Sequence, residues 1–349
     1  MSPVYINTDC ASLAAALKEC GAGRVFIVCD AAVRGFVGSQ VVPQTGSVPV
    51  FEIAAGEKTK SLSSVESICR WLLENGADRK SFLLAVGGGI TSDMAGFAAS
   101  IYMRGISFAY VPTTLLAMVD AAIGGKTGVN FLDYKNMLGT FCQPRFTYVA
   151  TSALSTLPMR DVLGGASEML KSFIIENRSG NYESAVRLLS SLKRGEQAFS
   201  DTVFQTDLTV LVGAAAAVKT GIVERDFREG GERRKLNLGH TFAHAIEHLA
   251  RERGGDVSHG EAVSMGMVLA ARLSEAKGIA PKGLAQSLKD DMEACGLAVG
   301  CPYAVSDMAE AMCRDKKSDG ALVNFVLIRA VGDVVIEPMT PADAVSLLA

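Results

Sequence analysis

Through the first 150 residues, short apolar runs alternate with longer segments of helical period. Arg24 to Cys29 (RVFIVC) ends at Asp30, Phe82 to Val86 (FLLAV) ends in Gly87-Gly88-Gly89, and Phe108 to Val111 ends at Pro112-Thr113-Thr114. Runs this short, closed by turn residues, predict buried strands, and their alternation with helical segments predicts a parallel sheet covered by helices. Ligands of such sheets gather at the carboxyl ends of the strands, where Asp30, the glycine triplet and the Thr pair fall. After about residue 155 the strand signal fades. Phe204 to Glu224 and Ala262 to Lys277 carry helical periodicity and an Ala/Met-rich composition. One exception, Ala321 to Glu337, predicts a hairpin turning at Gly332-Asp333. The expected fold is an α/β N-terminal domain, residues 1–155, with a parallel sheet and a Rossmann-like nucleotide site, followed by a mainly α-helical domain, residues 156–349. There is no internal repeat and no obvious flexible linker.

Composition narrows this picture. Hydrophobic residues make up 49% of the 349 positions and charged residues 20%, with 10 prolines, so the whole chain is expected to fold. Net charge is −3, and no Lys/Arg block exceeds three residues. Neither a nucleic-acid partner nor an anionic membrane is therefore expected. The longest apolar stretch, Val210 to Val218, is less than half the roughly 20 residues of a membrane span. The N-terminus has no basic segment followed by an apolar one, so a cytoplasmic address is expected. The eight cysteines are scattered without a C-x-x-C pair and read as reduced, mostly buried thiols.

Several stretches carry candidate chemistry. Gly87 to Asp93 (GGGITSD) follows a predicted strand and opens a predicted helix. Either its amides approach a pyrophosphate that side chains would block, or it is a tight strand-to-helix turn. It lacks the G-x-G-x-x-G spacing of a standard dinucleotide fingerprint. Thr114 to Asn136 crowds Asp120, Gly124, Gly125, Lys126, Asn130, Lys135 and Asn136 into an otherwise small and apolar stretch. It reads as a loop that either displays surface lysines or, through the glycines beside Lys126, approaches an anion. All four histidines fall between His240 and His259. His240, His244 and His248 recur every four residues, on one helix face, and His259 follows a Gly-Gly turn that can fold the chain back. Neutral imidazole is the commonest metal ligand and catalytic zinc takes three protein ligands, so this segment predicts a metal site, with room for a carboxylate from elsewhere. Glu168 and Lys171, three apart at the border of an apolar run, read by periodicity alone as an exposed ion pair. Lys219, Glu229 and Arg233 likewise fall on a solvated face.

These segments together resemble the 3-dehydroquinate synthase family of the sugar-phosphate cyclase superfamily, from about Asp30 to Lys317. The most specific strings are YMRGI at Tyr102, PTTLLAMVDAAIGGKTGVN at Pro112, KNMLGTF at Lys135, LNLGHTFAHAIEH at Leu236 and HGEAVSMGM at His259. The resemblance implies conversion of the seven-carbon phosphosugar acid DAHP to 3-dehydroquinate and phosphate in the shikimate pathway of aromatic amino acid biosynthesis. The enzyme would be a metal- and NAD-dependent carbon–oxygen lyase, working by transient oxidation, phosphate elimination, reduction and aldol closure. Glu168, His240 and His259 would hold the metal, usually zinc, with cobalt as an alternative. NAD would be held by Asp30, Gly56, Glu57, Lys60, Gly87, Gly88, Gly89, Ile90, Thr91, Ser92, Asp93, Thr113, Thr114, Lys126, Lys135 and Thr156. Asp120, Lys126, Asn136, Lys171, Lys219, Arg233, Asn237, His244 and one of Lys316 or Lys317 would surround the substrate. Arg104 would reach a neighbouring subunit's site in a homodimer. Lys126, Lys171, Lys219, Glu229, Arg233, Asn237 and His244 would form the catalytic set, with His244 and Glu229 handling protons.

The residue types suit that chemistry, because the phosphate and carboxylate of DAHP must both be neutralised in one cleft. The sequence departs from the family pattern at three places: Ser92 stands where the glycine loop usually carries Gly, Ser167 replaces a common Ala, and Ala121-Ala122 replaces a serine-containing pair. They bear on the geometry of the cofactor loop and leave every charged position occupied. Three other readings are cyclases of the same fold acting on other phosphosugars, a metal-dependent polyol dehydrogenase, which would accumulate NADH, and a non-catalytic or regulatory relative, which would lack a metal ligand or a substrate lysine where this sequence lacks none.

Overall fold

The computed structural model describes residues 1–54, 56–132, 134–314 and 322–349, without the side chains of residues 313 and 314. The expectation placed on Lys316 or Lys317, and the first residue of the expected C-terminal hairpin, Ala321, lie outside the described residues. The chain divides into two compact units, Met1–Pro158 and Met159–Ala349.

Unit 1 is a six-stranded parallel sheet with helices on both faces. Its strands are β1 (Val4–Asn7), β2 (Val25–Asp30), β3 (Val50–Ile53), β4 (Phe82–Gly87), β5 (Ser107–Pro112) and β8 (Thr147–Ala150), in the order β1-β8-β5-β4-β2-β3. Central strands of a parallel sheet are covered on both faces and so read as continuous apolar runs; all six residues of β4 are buried. Alternate side chains enter opposite cores. Phe26, Val28, Leu83, Ala85, Phe108 and Tyr110 join one, while Ile27, Cys29, Leu84, Val86, Ala109 and Val111 join the other. Helices α2 (Leu62–Glu74) and α3 (Gly89–Ile101) cover the first face and α1 (Leu13–Glu19) the second.

After β2 the chain moves outward to β3, and after β4 it moves the other way to β5. The order of the sheet therefore reverses between β2 and β4, the point at which open α/β sheets bind ligands. Asp30 ends β2 and Gly87 ends β4 there. The edge strands β1 and β3 and the penultimate β8 were not foreseen. They are four residues each, too short for alternation to show.

Thr114 to Asn136 is not a loop as expected. After one turn of wide helix at Ala117–Ala121, Lys126–Phe131 (β6) and Tyr134–Phe141 (β7) pair as an antiparallel hairpin. The strand period is hidden because Gly128 and Gly139 occupy the facing positions where the two backbones pack: a Cβ on Gly139 would stand 2.0 Å from the Thr127 carbonyl oxygen.

Unit 2 is mainly helical: α4 (Met159–Ile175), α5 (Asn181–Lys193), α6 (Thr202–Arg225), α7 (His240–Glu252), α8 (His259–Ala276), α9 (Leu284–Ala294), α10 (Val305–Arg314) and α11 (Pro341–Leu348). A hairpin of β9 (Val323–Ala330) and β10 (Asp333–Met339) turns through Gly332. Helix α8 is buried along almost its whole length and packs on α4, α7, α9, α11 and β9. By length and composition α6 is long and apolar enough to cross a membrane, a wider span than the expected Val210–Val218; it packs on α4 and α5, with half of its apolar window buried. The described cysteines are all free. Of these Cys10, Cys29 and Cys295 are buried, whereas Cys20, Cys69, Cys142 and Cys301 are only partly covered, so fewer are buried than expected.

The crossing of α3 over the sheet depends on Gly96. A Cβ there would lie 2.1 Å from the Tyr110 hydroxyl and 2.7 Å from Thr127 Cγ2, and Tyr110 is itself buried. Gly96→Ala should destabilise unit 1 by about 1–3 kcal/mol through overpacking. A urea denaturation midpoint equal to the parent's would contradict this.

Candidate active site

Three helices of unit 2 bring three ligand-type side chains together. Glu168 lies midway along α4, His240 is the first residue of α7 and His259 the first of α8. Two glycine contacts set this convergence. A Cβ on Gly260 would stand 2.2 Å from Gly164 Cα, so α8 and α4 touch backbone to backbone one turn before Glu168 and one residue after His259. A Cβ on Gly266 would stand 2.2 Å from the Gly239 carbonyl oxygen, which holds the start of α7, and hence His240, against the same helix.

The start of α8 is fixed from outside as well. Ser258 and Glu261 form a reciprocal capping box, and Glu261 also receives two hydrogen bonds of 2.8 Å from the Arg160 guanidinium on α4. Arg160 further donates to the Asp256 carboxylate at 2.6 Å. Burial opposes the Glu261 charge less than these donors favour it, with Arg160 foremost, and its carboxyl is held down at about 2.

One ligand atom from each of Glu168, His240 and His259 lies within 4.8 Å of the others. Glu168 Oε1 is 3.5 Å from His259 Nε2 and 3.7 Å from His240 Nε2. It is buried and accepts no hydrogen bond among the described residues. Ligands about 2.0–2.2 Å from a tetrahedral zinc stand roughly 3.4 Å apart, so this spacing suits a shared ion better than a direct hydrogen bond. The far nitrogens are also arranged: His240 Nδ1 faces the Leu238 carbonyl at 3.2 Å and His259 Nδ1 faces Glu247 Oε1 at 3.3 Å. Each ring thereby turns Nε2 toward Glu168.

The charges at the site depend on one another. Burial works against ionised Glu168, but Lys171 and the two imidazoles outweigh it and keep the carboxyl well below its ordinary range. Burial, with Lys171 adding to it, lowers His240. His259 goes the other way: despite burial, the carboxylates of Glu168 and Glu247 push it up to about 9. Glu168 and Lys171 form an ion pair and are only 1% and 2% exposed, which corrects the exposed pair that periodicity suggested. Lys219 and Arg233 are buried too, and Glu229 is half-buried. Periodicity misplaced Glu168, Lys171 and Lys219 because α4 and α6 are covered on more than one side, and these charged positions lie among the covered ones; Glu229 and Arg233 follow α6, in the turn and short helix that lead to Asn237.

Glu229, Asn237, His240 and His244 line one cavity of about 480 Å³, together with Arg228, Arg234, Thr241 and Asn324. Asn237 Nδ2 donates to Glu229 Oε1 at 2.9 Å. Glu229 adopts a left-handed backbone (φ 62°), which a non-glycine residue keeps only where its surroundings impose it. Here the Asp226 carboxylate imposes it, accepting from the amides of Gly230, Gly231 and Arg233. The Arg233 guanidinium donates to the Phe227 carbonyl. The His240 and His244 rings stand edge to face at 5.7 Å. His248 points elsewhere and meets Glu252 at 3.2 Å. Arg228, Arg234, Thr241 and Asn324 were missed by sequence reasoning. Arg228, Arg234 and Thr241 stand directly beside Glu229, Arg233 and His240 in the chain, so neighbourhood alone would have flagged all three.

Unit 1 assembles a second cluster. Lys60 is buried and its Nζ meets Asp93 Oδ2 at 2.6 Å and Asn136 Oδ1 at 2.5 Å. Asn130 accepts from the Asn136 amide at 2.9 Å and donates to Glu57 Oε1 at 2.7 Å. Asn136 is left-handed (φ 53°) and Gly56, before Glu57, has φ 111°. Gly87 and Gly89 leave no room for a Cβ, which Thr91 and Ala121 would meet at 2.6 and 2.9 Å, and at Gly88 the Thr114 methyl would crowd one at 3.1 Å. The space is filled by protein, so the tight-turn reading of these glycines holds whatever the loop binds. Thr113 Oγ1 is buried without a hydrogen-bond partner among the described residues. Asp30 caps the turn after β2 through the Ala32 amide at 2.9 Å. Lys126, Lys135, Arg104 and Thr156 are exposed, Asp120 is half-buried, and Ile90, Thr91 and Ser92 lie in the first turn of α3.

A doubly wound parallel sheet with a glycine turn at its switch point, joined in one chain to a helical unit carrying a His₂Glu cradle, defines a metal-site enzyme with a dehydroquinate synthase-like fold. The family models described as 3-dehydroquinate synthase N-terminal and C-terminal match residues 50–164 and 165–318. The chain belongs to the 3-dehydroquinate synthase family. It is 36% identical to the 3-dehydroquinate synthase of Leptospira interrogans over 98% of this chain and 93% of that one. It is 41% identical to that of Thermococcus kodakarensis over 83% and 78% of the two chains. Among solved structures it is similar to a 2-epi-5-epi-valiolone synthase from Streptomyces hygroscopicus with NAD+ and Zn2+ bound, with a TM-score of 0.83 and 28% identity, covering 100% of this chain and 96% of that one.

The Gly164–Gly260 contact predicts a coupled loss. Because the atoms in the way are backbone, Gly260→Ala should force α4 and α8 apart, cost about 2 kcal/mol or more, and weaken zinc binding at least tenfold. Denaturation and zinc titration on the same preparation would test it; unchanged zinc affinity would show that the helix contact does not set the ligands.

Proposed function

We propose that this chain is a 3-dehydroquinate synthase that converts DAHP to 3-dehydroquinate and phosphate, with NAD and one zinc ion, cobalt being able to replace it. In this reading unit 1 holds NAD through Asp30, Glu57, Lys60, Gly87 to Asp93, Thr113 and Thr114, and unit 2 holds the metal through Glu168, His240 and His259. The observation that carries it is Glu168 Oε1, buried, unbonded and facing two imidazole Nε2 atoms at 3.5 and 3.7 Å. Orphaned carboxylate oxygens are costly to bury without a cation, so the donor set fits a zinc ion. The buried Thr113 hydroxyl, which has no hydrogen-bond partner among the described residues, supports the nucleotide part of the reading.

When bound, NAD supplies a reversible hydride acceptor and zinc a Lewis acid. The chain's own residues do the rest. Lys171, Lys219 and Arg233 are buried cations of unit 2 and suit a phosphorylated carboxylic acid, which an uncharged polyol would not need. The Arg233 amide donates to the Asp226 carboxylate and its guanidinium to the Phe227 carbonyl, so its placement costs little ordering when substrate arrives. His244, on the cavity wall beside His240, moves protons at its imidazole. Glu229 fixes the Asn237 amide so that its carbonyl oxygen is presented to a hydroxyl. Lys126, Asn136, Asp120 and Arg104 complete the substrate set, and Lys135 and Thr156 the NAD set. The overall reaction breaks a carbon–oxygen bond with loss of phosphate, which makes the enzyme a lyase.

The reading includes a cytoplasmic homodimer. Free cysteines suit a reducing compartment. The hairpin β6–β7 supports self-association. It exposes Phe131, Leu132, Tyr134, Met137 and Phe141, and the turn beside it exposes Ile101 and Met103 next to Arg104; Thr140 bonds Ser100 across the two at 2.9 Å. Apolar side chains gathered this densely mark an interface.

Purified protein with zinc and NAD should release phosphate from DAHP without lasting change in nicotinamide absorbance. Steady NADH accumulation would instead favour the polyol dehydrogenase reading. Metal and activity should vanish together in His259→Ala, and a fully active variant would remove His259 from the ligand set. Sedimentation equilibrium should give twice the chain mass, falling toward one in Met137→Glu; a monomeric parent would overturn the dimer.

A further inference from the structure

The two imidazoles that face Glu168 are held by different partners. Behind His240, Nδ1 meets a main-chain carbonyl, that of Leu238, at 3.2 Å. Behind His259, Nδ1 meets a side-chain carboxylate, Glu247 Oε1, at 3.3 Å. The Glu247 side chain is 10% exposed and comes from α7, the helix that begins with His240. Glu247 lies seven positions after His240, two helical turns, so one face of α7 offers a metal-ligand imidazole at its start and a carboxylate further along.

We infer that Glu247 is a positioning residue for the metal centre, accepting the Nδ1–H of His259 so that Nε2 carries the lone pair turned toward Glu168 Oε1. The inference rests on the metal-site reading above. A neutral imidazole has one N–H and one lone pair, and the partner of one nitrogen decides the role of the other. Without Glu247 the proton could sit on either nitrogen, and the ring, about 37% exposed, could rotate. His240 needs no such side chain because the Leu238 carbonyl, two residues away in the same chain, cannot be displaced. A carboxylate behind one imidazole also raises that ligand's basicity, so the two histidines are not equivalent donors. Glu247 ties α7 to the start of α8 as well, and a purely structural role has to be told apart from the positioning one.

Metal-free protein loaded with one equivalent of Zn2+ or Co2+ provides the test. For Glu247→Ala we expect zinc affinity to fall about 10–100-fold, the range for loss of a ligand's orienting partner. The visible absorption bands of the Co2+ form should move, and the melting temperature of the metal-free protein should stay near the parent's. Glu247→Gln keeps an acceptor oxygen but no charge. It should hold the ring and recover part of the affinity, and it serves if the alanine variant fails to fold. Parent-like zinc affinity and an unmoved Co2+ spectrum in both variants would overturn the inference. So would a loss of metal-free stability with the affinity of the folded protein unchanged, which is the outcome of a structural tie. A parent that binds zinc, set beside a His259→Ala variant that does not, separates these results from failure of the metal-site reading. If the parent bound none, that reading and this inference would fall together.

Discussion

Unit 2 depends on one contact, the meeting of α4 and α8 at Gly164 and Gly260. A Cβ on Gly260 would fall 2.5 Å from the Gly164 carbonyl oxygen, so no other residue lets the two backbones come this close. The contact falls between the two ligands it serves. His259 precedes Gly260 directly, and Glu168 lies one turn beyond Gly164. Small residues at a helix crossing are often read as packing alone. Here the crossing distance is also the ligand distance, so the metal cradle inherits its precision from main chain. The Gly239–Gly266 approach does the same for His240, and α8 becomes the common reference for all three ligands.

That geometry concentrates charge where water is excluded, and the site works because the charges balance locally. A buried carboxylate alone would take up a proton. Glu168 remains ionised because Lys171 pairs with it on the same helix and two imidazoles flank its other oxygen. Pairs of this kind contribute little net stability, since desolvation offsets most of their attraction. Their use lies in holding a charged ligand ready without reorganisation. Unit 1 repeats the device on a smaller scale, with Lys60 set between Asp93 and Asn136. There the lysine and its two partners come from three separate segments, so a single lysine ties the first turns of α3 to the β6–β7 hairpin.

Legibility from sequence follows the same division between local pattern and long-range packing. The buried strands β2, β4 and β5 were readable because a parallel sheet covered on both faces leaves uninterrupted apolar runs. The helices α6 and α8 were readable because their periodicity extends over several turns. Strands β1, β3 and β8 were too short to leave a pattern, and β6–β7 was hidden by glycines that pack backbone on backbone. Likewise, His240 and His259 were visible through the crowding of rare residues. Glu168 was not, because three-residue spacing to a lysine is what any solvated helix shows. Only resemblance placed it among the ligands, and only the structure shows it 1% exposed. Glu247 left its signal in the spacing from His240, but that spacing means something only once His259 is known to fold back onto the same face.

The four histidines show why spacing alone cannot assign roles. His240, His244 and His248 occur at equal intervals on α7, yet each meets a different environment. His240 sits at the helix start against α8, His244 faces the cavity, and His248 turns to Glu252. The departures from the family pattern divide in the same way. Ser167 Oγ donates to the Gly164 carbonyl at 2.8 Å, and Ser92 Oγ to the Gly88 carbonyl at 3.2 Å. Both hydroxyls are satisfied within their own helix and ask nothing of the site, so they are tolerated beside a metal ligand and a glycine turn. Ala121 is different in kind. It stands 2.9 Å from where a Gly89 Cβ would be, so its methyl group, not a hydroxyl, fills the space behind the glycine turn. A substitution in this chain therefore matters less for its distance from the chemistry than for whether its polar atoms and its volume are accounted for within the element that carries it.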